Sequence, residues 1–147
     1  MATVVDRIVD AIEAACRTVS GVHVLRGGVL PEAIPPAGLV NIVEPEPGEG
    51  EDLIGGEREF VAEVPVEIAV QEADEAIRAA ALDALAIEVA AAILGSVDLE
   101  LRVDHRRVHP IRDREDVPVT GASAIRSATL PVECHYRTGP NPMEDLG

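Results

Sequence analysis

The sequence is nearly free of aromatic residues: its 147 positions include one Phe, one Tyr and no Trp. Hydrophobic residues still make up 47% of it, so a core has to be built from Ala, Val, Ile and Leu. A chain of this length matches one domain and buries about 68–70% of its unfolded surface. We expect a single domain over residues 1–138 and a flexible C-terminal tail over residues 139–147, where no core pattern is present.

The sequence also contains no lysine, so its 12 basic residues are all arginine. They stand against 27 acidic residues, which gives a formal net charge of -15 at pH 7. Binding to duplex nucleic acid requires clustered cations that neutralise phosphates, and this composition argues against it. A net charge of this size keeps a protein soluble and repels DNA from any passage that the protein lines.

Cysteines and uninterrupted hydrophobic segments are scarce as well. Cys16 and Cys134 fall in a predicted helix and a predicted strand, where a free thiol behaves as a small buried hydrophobic group. A disulfide between them is the less favoured alternative in a chain with no secretory signature. Charged residues interrupt the apolar N-terminal segment, unlike a signal peptide. The longest apolar run, residues 76–95, contains three charged residues, so no membrane span is expected and we expect a cytosolic protein.

Periodic spacing of hydrophobic residues predicts two helices. Thr3 and Asp6 have the spacing of a capping pair at the start of the first, and the second begins after Asp74 and ends near Leu94, before Gly95. The second helix carries alanine on nearly every side. A helix that is apolar all round is usually covered on more than one side, so we expect it to lie between the sheet and either the first helix or a neighbouring subunit.

Five segments have strand-like patterns. The clearest is 60–71, where hydrophobic residues alternate with mostly polar ones; within it, Pro65 indicates an edge position, a bulge or the end of pairing. The predicted strands are 22–26, 39–44, 60–71, 99–108 and 123–138, with a polar connection over 109–122. These elements predict an α+β fold with a sheet of about five strands, antiparallel or mixed, and two helices packed on one face.

Candidate catalytic and metal-binding groups do not converge in the sequence. His105 and His109 are four residues apart on a predicted strand, which separates them by about 13 Å, too far to share one zinc ion. Cys134 and His135 are adjacent and therefore point to opposite faces. A Ser–His or Cys–His pair formed in space stays open at this level. We predict no catalytic, cofactor-binding or metal site, and no cofactor.

Charge is unevenly distributed along the chain. Residues 43–59 hold seven carboxylates and a single cation, Arg58, and we expect this acidic loop to extend from the sheet as a hairpin. It is either a solvated connection or a contact to a neighbouring copy or a lumen. A basic segment over 102–114 is its candidate partner in a neighbouring copy, through a head-to-tail contact. The acidic residues are Glu44, Glu46, Glu49, Glu51, Asp52, Glu57 and Glu59; the basic ones are Arg102, Arg106, Arg107, Arg112 and Arg114.

The C-terminal third resembles the end of the tail terminator or tail-completion proteins of long-tailed bacteriophages, prophages and gene transfer agents. The earlier layout is similar to those proteins too, with an amphipathic first helix, a strand that runs into an acidic loop, a long alternating strand and an alanine-rich second helix. The resemblance therefore covers nearly the whole chain. The residues that carry its C-terminal pattern are Gly121, Ala122, Ile125, Ala128, Leu130, Pro131, Val132, Tyr136, Thr138 and Pro142.

The resemblance implies a structural subunit without enzymatic activity that assembles as a ring, typically a hexamer, on the head-proximal end of the tail tube. Its expected partners are further copies, the tail tube protein and the neck or head-tail connector proteins. Genomic DNA passes through such a ring without specific binding, and no membrane is involved. The expected location is the tail or neck of the virion, after assembly in the host cytoplasm. Alternatives are a head-tail connector, stopper or other neck ring protein, and a small non-viral binding module.

Overall fold

The computed structural model describes residues 2–29, 31, 33–46 and 48–144. Within them the chain forms three helices and a seven-stranded mixed sheet, in which five strands make up the main path, and the helices pack against that sheet. The α+β prediction is confirmed. The elements are α1 (Val4–Arg17), β1 (His23–Arg26), β2 (Leu39–Ile42), β3 (Glu51–Asp52), β4 (Arg58–Gln71), α2 (Glu75–Leu94), α3 (Val97–Arg102), β5 (His105–Val108), β6 (Arg112–Val117) and β7 (Ile125–Thr138).

The sheet has the strand order β1-β2-β4-β7-β5. Strands β4 and β7 form its centre, because they pair antiparallel along their full length, from Arg58 opposite Thr138 to Gln71 opposite Ile125. Strand β1 runs parallel to β2, and the other pairs are antiparallel. The short strand β3 pairs with β4 on the edge that β2 also uses, whereas β6 extends the opposite edge beside β7.

The core lies between the helices and one face of this sheet, called here the inner face. Alternate residues of β4, from Phe60 to Val70, are buried together with the apolar sides of α1 and α2. Phe60 and Tyr136 are the aromatic residues of the core and stack with ring centroids 5.5 Å apart. The opposite, outer face of β4 exposes Val61, Glu63 and Glu67. The period of two in the sequence thus separates a dry face from a wet one.

Both long helices begin where the sequence predicts. The Thr3 hydroxyl accepts from the Asp6 backbone N–H, and the Asp6 carboxylate accepts from the Thr3 N–H, which completes a capping box. The Asp74 carboxylate accepts from the Ile77 N–H at 2.9 Å, and Gly95 follows the last residue of α2. Helix α2 contacts β4, β7 and β5 on one side and α1 on another, so part of its apolar surface is covered as expected.

The strand predicted over 99–108 is wrong in its first half. Residues Val97–Arg102 form helix α3, and only His105–Val108 form a strand. The Ser96 hydroxyl caps α3 by accepting from the Leu99 N–H, and the Leu99 side chain is fully buried in a helix that packs on α1. A capped turn with a buried anchor outweighs the strand-like alternation of residues in this segment.

The polar connection predicted over 109–122 also contains a strand, β6. It pairs with the first residues of β7, from Val117 opposite Ile125 to Arg112 opposite Thr129, with an irregularity at Asp113, whose φ is +57°. Strand β5 covers only residues 132–135 of the long β7. The remaining edge of β7 offers unpaired backbone groups, and backbone hydrogen bonds to these groups make β6 a strand despite its polar side chains.

Pro65 lies directly opposite Pro131 at the centre of the β4–β7 pair. Neither residue can donate to a neighbouring strand, yet each carbonyl oxygen accepts from the next element: Val43 N–H donates to Pro65 O and His109 N–H donates to Pro131 O, both at 2.9 Å. The β2–β4 pairing ends beside Pro65, and Pro131 lies between the residues paired with β5 and β6. Pro65 therefore marks the end of the pairing between β4 and β2, which is one of the three roles considered for it.

The first part of the predicted tail turns back onto the domain. The Val4 N–H donates to the Met143 carbonyl oxygen at 2.9 Å, and residues 140–144 form turns. Residues 145–147 lie outside the described part of the chain. Flexibility of the tail stays a prediction.

Candidate functional site

The second half of the acidic loop forms a β-hairpin. Glu51 pairs with Glu59 and Asp52 with Arg58, and the Leu53 N–H donates to the Glu57 carbonyl oxygen at 2.7 Å. The hairpin tip, residues 53–56, contains Gly55 and Gly56 at φ +90° and +83°, values that favour glycine. Ile54 at this tip is fully exposed (102%) and Leu53 is partly exposed (36%). The predicted acidic loop thus presents an apolar tip.

The first half of the loop lies against the sheet instead of extending from it. A Cβ added to Gly50 would lie 2.6 Å from the Phe60 ring, and one added to Gly48 would lie 2.6 Å from the Val61 carbonyl oxygen. Only glycine permits so close an approach. The predicted hairpin over 44–59 is therefore shorter, and residues 51–59 form it.

Three of the seven acidic residues form ion pairs within the chain. Glu44 lies 3.0 Å from Arg26, Asp52 lies 3.2 Å from Arg58, and Glu57 lies 3.4 Å from Arg137. In the described part of the chain, the other four acidic residues form no ion pair: Glu46, Glu49, Glu51 and Glu59. These carboxylates remain available to a partner.

The five basic residues have different environments. Arg102 lies 3.9 Å from Asp98 on α3, Arg112 lies 2.5 Å from Glu63 on the outer face, and Arg106 contacts backbone carbonyls. Arg107 and Arg114 are exposed and form no ion pair with any described residue. Among the described residues, no ion pair joins the acidic loop to the basic segment within one chain. A contact between the two in neighbouring copies stays a prediction.

Arg106 has a role inside the chain that its sequence position does not reveal. It lies on the inner side of β5, and its guanidinium donates to the carbonyl oxygen of Leu94, the last residue of α2, and to that of Ser96, the N-cap residue of α3. The last turn of α2 contains no basic residue of its own. Arg106 thus satisfies the carbonyl group of Leu94, one of those that a helix C-terminus leaves open, and places a cation at the negative end of the α2 dipole.

Helix α2 carries a second apolar stripe, on the side away from the core. Ile77 is 56% exposed, Ile87 70% and Leu94 49%, and the alanines between them are also exposed. The spacing alternates between three and four residues, as in the seam of a coiled coil. The α2 stripe consists of Ile77, Ala80, Ala84, Ile87, Ala91 and Leu94.

An apolar groove of about 530 Å³ lies beside this stripe, between α2 and the connection from β5 to β6. Its polar lining residues are Asp83, His109 and Arg114. Its apolar lining comes mainly from α2 and the connection: Ala86, Ile87, Ala90, Leu94, Pro110 and Ile111. The α2 stripe and this groove share Ile87 and Leu94, so they form one continuous apolar surface.

A second apolar cavity, of about 380 Å³, lies at the other end of the core. The start of α1, the acidic loop and the C-terminal segment enclose it around Phe60, Tyr136 and Met143. The Arg58 guanidinium lies 5.0 Å from the centroid of the Phe60 ring, a cation–π distance. Burial raises the pKa of Tyr136. This cavity therefore lies between the core and the acidic loop.

Histidines cluster around Glu133 on the outer face. His135 Nε2 lies 2.7 Å from one Glu133 carboxylate oxygen and His109 Nε2 lies 3.2 Å from the other, while the His105 ring lies 5.4 Å from the His135 ring. The bonds from His135 and then His109 hold the pKa of Glu133 below its usual value. In the described part of the chain, no group of three His, Cys, Asp or Glu residues has a geometry that fits a metal ion.

The two thiols do not join this histidine cluster. Cys134 lies on the inner face beside His135 in sequence, so the two side chains point to opposite sides of the sheet. Cys16 and Cys134 are both free and buried, as expected. Burial raises the pKa of each thiol to about 12, which keeps them protonated and poorly nucleophilic at neutral pH.

Sequence reasoning anticipated that α2 is apolar on nearly every side but did not identify the residues of the α2 stripe, and it missed the groove and the cap that Arg106 provides. The 3-4-3-4-3 spacing of residues 77, 80, 84, 87, 91 and 94 was readable as a heptad pattern. The groove depends on how α2 lies against the β5–β6 connection, and no local pattern contains that information.

No described helix is both long enough and apolar enough to cross a membrane. No protein-family model matches this chain, and no curated protein matches it.

Proposed function

We propose that this protein is a structural virion subunit, a ring-forming tail terminator of a long-tailed bacteriophage, prophage or gene transfer agent. Copies of it assemble on the head-proximal end of the tail tube, stop tube growth and join the tube to the head-neck assembly. Its partners are further copies, the tail tube protein and the neck proteins. It acts in the tail or neck of the virion and carries out no chemical reaction.

The α2 stripe is the observation that carries this proposal. A helix 20 residues long exposes an apolar seam along its whole outer side, next to an apolar groove. Contiguous exposed apolar surface of this kind marks protein–protein interfaces. Subunits that assemble through such a surface cover it, as expected for a protein whose function is to form a ring.

The charge distribution supports the same function. Each copy has a formal net charge of -15, so a ring of copies surrounds its lumen with negative charge and lets DNA pass without binding it. The acidic loop, with free carboxylates at Glu46, Glu49 and Glu51, supplies charge at the rim or wall of that lumen. The resemblance of the C-terminal pattern to tail terminators then selects the tail among the possible ring assemblies.

Deletion of the gene in the host that carries it tests the proposal. We expect phage-like particles with tail tubes of abnormal length that are not joined to heads, and restoration of joined particles by a plasmid copy. Tubes of normal length that stay unjoined would place the protein among the neck connectors or stoppers instead. Joined, normal particles would contradict both functions.

Substitutions in the acidic loop test whether this loop lines the lumen of the ring. We expect the triple variant Glu49→Ser, Glu51→Ser and Asp52→Ser to reduce the yield of DNA-filled, joined particles. A control variant removes the same charge from exposed positions outside the loop: Glu88→Ser, Glu100→Ser and Glu144→Ser. Equal yields for the loop variant, the control and the wild type would show that the loop is a solvated connection.

A further inference from the structure

The hairpin tip and the groove lie on opposite edges of the sheet. Strand β3 pairs with β4 on the β2 edge, while β5 and the connection to β6 lie beyond β7. Three strand spacings, about 14 Å, separate the two edges. The tip of one chain therefore does not reach the groove of the same chain, and each surface is open to another molecule.

The two surfaces have matching chemistry. The tip presents Leu53 and Ile54, with Ile54 fully exposed, and the free carboxylates of Glu49 and Glu51 precede it in the chain, Glu51 on β3 and Glu49 just before β3. The groove presents an apolar floor with Arg114 and His109 at its rim and one carboxylate, Asp83. Arg114 forms no ion pair with any described residue. The apolar, acid-bordered tip thus complements the apolar groove, which an unpaired arginine borders.

We propose that the hairpin tip of one copy inserts into the groove of the next copy, with Ile54 against Ile87 and Leu94 and with Glu49 or Glu51 near Arg114. The proposal rests on the proposed function, because it names the contact that builds the ring. The contact is head-to-tail: it joins two different surfaces, so each copy donates a tip and accepts one. Contacts of this type close into a ring when the rotation between copies permits.

The apolar part of the contact supplies the affinity and the charges supply the register. Exposed ion pairs contribute about 0–1 kcal/mol each, whereas an apolar anchor that fills a pocket dominates binding energy. Glu49 or Glu51 beside Arg114 opposes docking of the tip in the reverse direction, since that would bring the carboxylates towards Asp83.

Native mass by light scattering tests the contact with two pairs of variants. We expect Ile54→Glu and Ile87→Glu each to weaken assembly about thirtyfold or more, the range of interface anchors. The controls introduce the same charge at other exposed apolar positions, Val29→Glu in a loop and Leu101→Glu on α3, which lie outside both the groove and the α2 stripe, and we expect both to assemble like the wild type.

Mixing the two defective variants separates head-to-tail assembly from other arrangements. Ile54→Glu keeps an intact groove and Ile87→Glu keeps an intact tip, so a 1:1 mixture restores one contact per pair. We expect this mixture to form dimers but no rings, while each variant alone stays monomeric. A two-fold symmetric contact along the α2 stripe does not involve Ile54, so it predicts that Ile54→Glu forms dimers on its own, and that result would overturn the proposal. A mixture without dimers would also overturn it.

Cross-linking provides a readout that does not depend on the glutamate variants. Cys16 and Cys134 are buried, so they should not take part in the cross-link. Oxidation of a mixture of Ile54→Cys and Pro110→Cys should join the two chains by a disulfide, and neither variant alone should cross-link. A mixture that stays uncross-linked would overturn the contact. If the wild type forms rings but the tip and groove variants assemble normally, this inference fails and the proposed function stands; a wild type without any assembly contradicts the ring itself.

Discussion

Arg106 on β5 donates to the carbonyl oxygen of Leu94 at the end of α2. The bond links the strand at one edge of the sheet to the helix that carries the α2 stripe, and a second bond from the same guanidinium reaches the Ser96 carbonyl oxygen. The two bonds thereby fix the end of α2 and the start of α3 on β5. The end of α2 lines the groove through Leu94.

Replacement of this arginine should destabilise the fold. We expect Arg106→Met, which keeps the apolar stem, to lower the free energy of unfolding by about 1–3 kcal/mol, because the Leu94 carbonyl group at the C-terminus of α2 and the nearby Ser96 carbonyl group both lose a charged donor. Arg107→Met is the matched control and should change it by about 0.5 kcal/mol or less. Urea unfolding measures both. Equal effects of the two variants would contradict the capping role.

Arg78 should contribute more to the stability of the fold than an arginine on the surface does. Its side chain is buried and donates to Asp116 at 3.0 Å and to the Glu72 carbonyl oxygen at 2.9 Å. We expect Arg78→Met to lower the free energy of unfolding by about 2–3 kcal/mol. Arg126 also bonds Asp116, at 2.9 Å, but is more exposed, so Arg126→Met should cost about 0–1 kcal/mol. A reversed order in urea unfolding would contradict this assignment.

Glu133 should contribute to the dependence of stability on pH. Its pKa in the folded protein lies below the ordinary value of 4.5, because His135 and His109 bond the carboxylate. A lowered carboxyl pKa stabilises the fold above pH 4.5, and this stabilisation is lost as the pH falls through the folded-state pKa. The difference in unfolding free energy between wild type and Glu133→Gln should therefore be largest above pH 4.5 and shrink below it. A difference that stays constant from pH 3 to 7 would contradict the linkage.

The buried thiols should be unreactive in the folded protein. Since burial raises the pKa of Cys16 and Cys134 to about 12, almost no thiolate is present at pH 8. We expect a chromogenic disulfide reagent to modify neither thiol under native conditions and both in urea. Rapid modification of the native protein would indicate that one of these segments opens.

The sequence predicts most of the fold because the main elements carry strong local signals. The alternation from Phe60 to Val70 predicts β4, and Thr3 and Asp74 mark the starts of two helices. Helix α3 was missed because Leu99, Leu101 and Val103 alternate as in a strand. Strand β6 was missed because pairing with the free edge of β7 creates it, and its side chains show no alternation.

The candidate interface was predictable only in part. The sequence identifies the acidic loop and the basic segment by charge alone, but not that Arg106, Arg112 and Arg102 have partners within the chain. It also shows Leu53 and Ile54 inside the acidic loop without indicating that they form an exposed tip. The groove that we assign to this tip exists only once α2, Pro110 and Ile111 are brought together by the fold.

Ring formation is tested first by the native mass of the wild-type protein, measured by light scattering behind a sizing column at 0.05 M and 1 M salt. Each copy carries a net charge of -15, so neighbouring copies repel each other. The Debye length falls from roughly 14 Å to about 3 Å over this salt range, and we therefore expect higher salt to favour closed rings. A ring of copies has a discrete mass of several times 15.5 kDa, and this is the result that we expect. A mass of one chain at every salt and protein concentration would contradict it.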